Sequence, residues 1–248
     1  MAHKKVADLV IETLQKAGAS RCYGIVGDTL NHVTDAIRRS EIEWVHVRHE
    51  EAAAFAAGAE SYLTGELSLC AGSCGPGGLH FINGVFESNR NRAPVVLIAS
   101  QIVTAELGME FPQEVDFKSL YAGCSVFCEQ VQSAEQAQRV VALAAQAALS
   151  RRGVAVVILP SDIAQTEVKE GLEFSVHRAA PVIRPNDAEL AQLAALLGQG
   201  KKIAIYAGHG CEGAHEMLLA LGQCLKAPIA HTSVSYTHLR AHETLRYL

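Results

Sequence analysis

The sequence has few aromatic and few charged residues. Aromatic residues make up 6% of its 248 positions, with a single tryptophan, and charged residues make up 19%. No apolar run reaches the roughly 20 residues that cross a membrane as a helix, and no basic run accompanies the net charge of −5. These absences argue against a membrane-spanning protein and against a nucleic-acid-binding surface. The hydrophobic content of 49% is typical of a compact globular protein.

Paired cysteine motifs are also missing. The seven cysteines include no C-x-x-C pair. Cys70/Cys74 and Cys124/Cys128 are four residues apart, a spacing that fits a metal pair but is more often core packing. The N-terminus leads into an amphipathic pattern, unlike a signal peptide. We therefore expect reduced thiols and a cytoplasmic protein, and we assign no metal ligand.

The apolar pattern alternates between strands and helices. Short apolar runs predict six strands, and helical spacing fills most of the intervals between them. The predicted strands cover residues 22–26, 44–47, 67–71, 95–99, 126–129 and 154–159. This rhythm predicts an α/β fold with a doubly wound, mostly parallel sheet and helices on both faces. Such folds bind ligands at the carboxyl ends of their strands.

The pattern also predicts domain boundaries. Residues 1–165 would form the first domain, 166–186 a linker, and 187–233 the start of a second, incomplete α/β domain. Residues 234–248 resemble the in-frame translation of a sequencing-library adapter. We therefore expect a non-native tail and a native sequence cut near residues 231–233.

Two glycine-rich loops each lie between a strand and a helix. The loop Gly72–Gly78 would let a ligand approach the backbone closely, although no base is placed by sequence to activate Ser73 or Cys74 as a nucleophile. The second loop fits G-x-G-x-x-G through Gly208, Gly210 and Gly213. The acidic ribose partner of a dinucleotide site is absent after it. A dinucleotide site and an ordinary turn stay equally open for the second loop.

Glu50 is an acid at the predicted start of a helix, within an apolar run. A helix N-terminus favours acids because of its unpaired N–H groups and positive dipole end. That ordinary explanation applies to Glu50 and to Glu51, and residue type alone favours it. The order of the surrounding motifs indicates a further role for Glu50.

Taken in order, the motifs resemble the pyrimidine-binding domain of thiamine diphosphate-dependent enzymes. The resemblance covers roughly residues 5–231. It rests on Asp28 after Tyr23-Gly24-Ile25-Val26-Gly27, on Arg48-His49-Glu50-Glu51, on Ala71-Gly72-Ser73-Cys74-Gly75-Pro76-Gly77, and on Asn83-Gly84. Within the superfamily, Arg90-Asn91-Arg92-Ala93-Pro94 and Gly208-His209-Gly210-Cys211-Glu212-Gly213 resemble the pyruvate oxidase and quinone-dependent pyruvate dehydrogenase branch.

The resemblance implies a catalytic role for Glu50. Its carboxyl would hydrogen-bond N1′ of the aminopyrimidine of thiamine diphosphate and promote the imino tautomer, which removes the thiazolium C2 proton. Burial beside Ala52, Ala53 and Phe55 is expected to keep this site dry. The resemblance also implies cofactor-binding residues, which are Ile25, Val26, Gly75, Pro76, Gly77, Asn83 and Gln113, together with Gly208, Gly210 and Gly213 for a flavin.

Further expectations follow from the family. The reaction would be oxidative decarboxylation of a 2-keto acid, pyruvate in particular, with electrons passing to FAD; an acetolactate synthase-type carboligase and a non-catalytic binding module are the alternatives. Relatives have an aromatic residue before the family glutamine where this chain has Pro112, which weakens the choice of pyruvate. Mg²⁺ would be held by a diphosphate-binding domain that this sequence lacks. A homodimer or homotetramer is expected, and any membrane or quinone contact would involve regions outside this sequence.

Overall fold

The computed structural model describes residues 4–168, 175–177 and 183–232. The chain forms two compact units, Met1–Ala180 and Pro181–Leu248. The predicted adapter-derived tail at 234–248 lies outside the described residues, as do parts of the predicted linker at 166–186. The domain boundaries stay a prediction. Within the described residues, no helix is both long enough and apolar enough to cross a membrane.

The first unit alternates strands and helices, as the apolar periodicity predicts. Its strands are β1 Lys4–Lys5, β2 Arg21–Gly24, β3 Glu43–His46, β4 Ser68–Gly72, β5 Val95–Gln101, β6 Phe127–Gln130, β7 Val154–Pro160 and β8 Glu167–Val168. Its helices are α1 Val6–Lys16, α2 Asn31–Arg38, α3 Glu50–Thr64, α4 Pro76–Leu79, α5 Ile82–Arg90, α6 Phe117–Tyr121, α7 Ala134–Arg151 and α8 Ser161–Gln165. Short 3₁₀ turns lie at Asp28–Leu30 and Thr104–Glu106.

Six of these strands form one parallel sheet in the order β3-β2-β4-β5-β7-β6. The predicted fold class is confirmed. The chain passes from β2 to β3 on one side and then returns to add β4 on the other side of β2. Loops that leave neighbouring strands in opposite directions open a crevice at the carboxyl edge, where ligands bind in such sheets. The loops after β2 and β4 meet at this point.

Alternating side chains of the central strands pack on both faces of the sheet. On one face, Val96 and Ile98 of β5 join a core with α1, α2 and α7. On the other face, Val95, Leu97 and Ala99 join a core with α3, α5 and α6. A parallel strand that is covered on both faces reads as a continuous apolar run, which is why β5 was recognisable in the sequence.

Residues 161–168, directly after β7, form a short helix and a two-residue strand. Helix α8 follows Pro160 directly, and β8 then pairs antiparallel with β1. The Val6 N–H also donates to the Thr166 carbonyl at 3.0 Å. Strands of two residues have no measurable hydrophobic period, so the sequence pattern could not predict this pairing.

The second unit begins with helix α9, Asp187–Gln199, which has a capping box: Asn186 accepts from the Glu189 N–H and Glu189 accepts from the Asn186 N–H, each at 2.9 Å. Strand β9 (Ile205–Ala207), a 3₁₀ turn at His209–Cys211, α10 (His215–Leu225) and β10 (Ile229–His231) follow. Strands β9 and β10 pair in parallel. The described elements of this region thus alternate between helix and strand.

Candidate active site at the carboxyl edge of the sheet

Helix α3 places Glu50 at the carboxyl edge of the sheet. Glu50 is the first helical residue after β3, and its N-cap, His49, accepts a hydrogen bond from the Glu51 N–H at 3.2 Å through Nδ1. The helix ends at Gly65, which has a φ of 72° that favours glycine. Glu50 is 9% exposed. A buried carboxylate at this position is stabilised by the positive end of the helix dipole.

The apolar neighbours of Glu50 differ from those expected. Ala53, Ala54 and Ala57 are buried with Glu50, whereas Ala52 and Phe55 lie on the exposed side of α3. The helical period explains this difference, because residues three, four and seven positions after Glu50 share its face. Of the three residues expected to bury Glu50, which were Ala52, Ala53 and Phe55, only Ala53 is itself buried.

The glycine-rich loop after β4 forms the wall opposite Glu50. A Cβ at Gly77 would lie 3.5 Å from Glu50 Oε1 and 2.9 Å from Ser73 Oγ. A Cβ at Gly27, in the loop after β2, would lie 2.5 Å from Ser73 Cβ. The Cys74 N–H donates to Thr29 Oγ1 at 3.0 Å and joins the same two loops. The structure therefore brings Glu50 Oε1, Gly77 and Ser73 together where the loops after β2 and β4 meet.

Gln113 covers the same loop from a different part of the chain. Gly75 has a φ of 63°, and a Cβ there would lie 3.1 Å from Gln113 Cβ. The Cys74 thiol also donates to Gln113 Oε1 at 3.6 Å. Gln113 itself is exposed. Gly75 thus has two reasons to be glycine, its backbone angle and the close approach of Gln113.

The other predicted cofactor residues occupy different surroundings. The Asn83 amide donates to Glu51 Oε1 at 3.1 Å. Pro76 is exposed at the first position of α4, where its missing N–H costs no helical hydrogen bond. Ile25 is half-buried, and Val26 is 54% exposed. Val26 lines a surface pocket of about 420 Å³ with residues of α2 and with Trp44.

Two histidines beside Glu50 were not predicted as site residues. His80 Nδ1 lies 3.0 Å from Glu50 Oε2, and the rings of His49 and His80 stack with centroids 4.7 Å apart and planes 22° apart. The His49-Glu50 dipeptide was a visible signal in the sequence. His80 gave none, because it reaches Glu50 from 30 residues away through the single turn of α4.

Cys74 is a poor candidate for a nucleophile. Its side chain is buried, and burial is the main cause that raises the pKa of its thiol, with Asp28 adding to the shift. A raised pKa leaves less thiolate, the reactive form, at neutral pH. Burial and the raised pKa of the thiol therefore argue against an activated nucleophile at Cys74.

The second glycine-rich loop is open. Nothing lies within 4 Å of a Cβ built at Gly208, Gly210 or Gly213, and Gly213 has a φ of 75°. The loop runs from β9 through the 3₁₀ turn to α10, which begins at His215. His209 Nδ1 lies 3.4 Å from Glu212 Oε2 within the loop. The backbone of this loop is accessible to a ligand, and α10 starts two residues after the final glycine.

Comparisons with known proteins agree with this geometry. The family described as "Thiamine pyrophosphate enzyme, N-terminal TPP binding domain" matches residues 4–120. A 42.6 kDa protein from the isoamylase 3′ region of Pseudomonas amyloderamosa is 51% identical over 234 residues, which cover 93% of this chain and 59% of the relative.

Relatives named for two reactions match at nearly the same identity. Pyruvate oxidase of Lactiplantibacillus plantarum is 31% identical over 90% of this chain and 38% of its own length. The large subunit of acetolactate synthase isozyme 2 of Escherichia coli is 30% identical over 89% of this chain and 40% of its own length. The chain therefore spans 59% or less of these three relatives. Residues 4–120 thus match the N-terminal, TPP-binding domain of thiamine pyrophosphate enzymes, the domain that contains Glu50 and the first glycine-rich loop.

Proposed function

We propose that the chain is the N-terminal part of a thiamine diphosphate-dependent enzyme that acts on a 2-keto acid, with Glu50 as the acid that exchanges a proton with the cofactor's pyrimidine. The observation that carries the proposal is the placement of the Glu50 carboxyl. It is buried at the carboxyl edge of the sheet, opposite a glycine wall, inside a matched cofactor-binding domain. A carboxyl that shares a proton with a ring nitrogen needs such a water-poor position.

The two oxygens of Glu50 have different surroundings. Oε2 is held by His80 Nδ1 at 3.0 Å, whereas Oε1 faces Gly77. The His80 contact fixes the plane of the carboxyl, so that Oε1 is directed at the space above the glycine loop. Gly77 keeps that space free, because any side chain there would approach Oε1 and Ser73. These residues fit an aminopyrimidine edge, and the bound cofactor would supply the thiazolium carbon that attacks the keto group and stores the electron pair.

We further propose that pyruvate is the substrate and that electrons pass to FAD. The pyruvate oxidase relative supports this choice, as does the accessible loop of Gly208, Gly210 and Gly213 in the second unit. The acetolactate synthase relative favours the carboligase alternative at nearly the same identity. Pro112, in place of the aromatic residue that relatives commonly have, weakens the support for pyruvate over another 2-keto acid.

The complete enzyme would contain parts that this sequence lacks. We propose that Mg²⁺ and the diphosphate are held by a later domain, and that the protein forms a homodimer or homotetramer in which the two halves of the site meet. The limited coverage of each relative supports a longer protein. In this proposal, residues 4–120 supply the activating acid, and a later domain supplies the diphosphate site.

The test is the variant Glu50→Gln in the full-length enzyme. We expect the exchange of the thiazolium C2 proton of bound cofactor to slow by about 10²- to 10⁴-fold, the range that a positioned acid or base contributes. Hydrogen–deuterium exchange followed by NMR measures this rate. Glu43→Gln is the matched control, since Glu43 is exposed at the first position of β3 and pairs with Arg21. Near-normal exchange in Glu50→Gln would overturn the proposal.

A second measurement distinguishes the two reactions. Anaerobic mixing of the full-length enzyme with pyruvate should bleach the visible absorption of its flavin if the enzyme is an oxidase. Formation of acetolactate without net flavin reduction would instead establish the carboligase. Both outcomes leave the role of Glu50 intact, because both reactions need the activated cofactor.

A further inference from the structure

His49, Glu50 and His80 form the one cluster among the described residues with three side chains able to hold a metal ion. Each side chain offers one ligand atom, and these atoms lie within 4.8 Å of one another. His49 is the N-cap of α3, Glu50 is the first residue of that helix, and His80 follows α4. Three protein ligands, two from the start of α3 and one from the end of α4, are the number found in metal centres that keep a position open.

We propose that these three residues bind a borderline divalent transition-metal ion, such as Zn²⁺, at the mouth of the site. Two imidazoles and one carboxylate are a donor set that Zn²⁺ favours and Mg²⁺ does not, because Mg²⁺ prefers oxygen ligands in octahedral geometry.

The distances allow this coordination with small movements. Neighbouring ligand atoms around a tetrahedral ion with bonds of about 2.0–2.2 Å lie roughly 3.4 Å apart. His80 Nδ1 and Glu50 Oε2, at 3.0 Å, are already close to that separation. The rings of His49 and His80 are stacked, and both histidines are exposed. Rotation of the His49 side chain can therefore bring one of its ring nitrogens, the third ligand, to the ion.

Occupation of this centre would block Glu50. A carboxylate that ligates a cation cannot share a proton with a pyrimidine nitrogen, so the ion and the activated cofactor would compete. This consequence rests on the proposed function, whereas metal binding itself does not. Zn²⁺ would then inhibit the enzyme by binding Glu50, whereas Mg²⁺ would not. This difference distinguishes the proposed Zn²⁺ site from the Mg²⁺ site expected at the diphosphate.

The test measures Zn²⁺ affinity of the whole chain without cofactor, by competition with a chromophoric chelator. We expect His49→Gln, His80→Gln and Glu50→Gln each to lower the Zn²⁺ affinity of one site by about tenfold or more. Loss of a residue that only hydrogen-bonds a metal ligand already lowers metal affinity by about tenfold. His32→Gln, on α2, is the matched control and should leave the affinity unchanged. Mg²⁺ should not compete.

A second measurement needs no variant. Co²⁺ bound to imidazoles and a carboxylate gives visible absorption without the near-ultraviolet charge-transfer band of a thiolate ligand. Such a band would show that a cysteine holds the ion and would overturn the proposal. Unchanged Zn²⁺ affinity in either histidine variant would overturn it as well. Because these readouts use no cofactor, they stay separate from the C2 exchange result for Glu50→Gln.

Discussion

The two glycine-rich loops look alike in sequence but differ in what surrounds them. A Cβ at Gly78 in the first loop would lie 2.5 Å from Cε1 of the Phe117 ring, and one at Gly75 would meet Gln113. In the second loop, Gly208 and Gly210 have open space around them. In the first loop, glycine makes room for the protein's own side chains; in the second, it leaves the backbone uncovered.

This difference separates two roles that one motif can have. A glycine whose missing Cβ is replaced by a buried ring is required for folding, whatever the ligand. A glycine with nothing near it is not required for packing, so only a ligand or a backbone angle can explain its presence. Among the glycines of the first loop, only Gly77 lies next to the Glu50 carboxyl.

The largest effect is expected at Gly78. Because Phe117 is buried and cannot move aside, Gly78→Ala should lower the free energy of unfolding of the first unit by about 1–3 kcal/mol, the usual cost of overpacking. Gly123→Ala is the control, since its Cβ would meet nothing within 4 Å. Urea unfolding followed by the fluorescence of Trp44, the single tryptophan, measures this unit alone. Equal stability of the two variants would contradict the packing argument.

A smaller effect, on binding alone, is expected at Gly210. Gly210→Ala should leave folding unchanged, because its Cβ enters open space, but should weaken FAD binding by the full-length enzyme by about tenfold if the pyrophosphate approaches this backbone. Flavin fluorescence titration measures the affinity, with Gly198→Ala on α9 as the control. Unchanged affinity would show that the second loop is an ordinary turn.

The smallest effect is on thiol reactivity. Cys74 in the first loop is buried with a raised thiol pKa, whereas Cys211 in the second loop is half-buried. Since the thiolate is the nucleophile, Cys74 should react with iodoacetamide more slowly than Cys211 at neutral pH. Its rate should continue to rise at alkaline pH above the ordinary thiol pKa. Peptide mass spectrometry after timed labelling measures both rates, and faster labelling of Cys74 would contradict the burial argument.

The sequence predicted the strands and helices whose apolar residues recur at a regular spacing. β5 was predicted at 95–99 and observed at Val95–Gln101, and the start of α3 at Glu50 followed from an acid before an alanine-rich run. The contacts of the site were less accessible. The His80–Glu50 contact depends on how the single turn of α4 is oriented, and the cover of Gly75 by Gln113 depends on a long connection without a period.

The pairing of β1 with β8 holds the two ends of the segment 4–168, which contains the six-stranded sheet, side by side. Lys4 lies opposite Val168, and Lys5 lies opposite Glu167. A unit whose chain enters and leaves at one place can be inserted into another protein, duplicated, or circularly permuted without crossing its own sheet. The antiparallel pair thus lets the acid-bearing unit be joined to other domains at one place. Its own sheet and its crevice would stay intact.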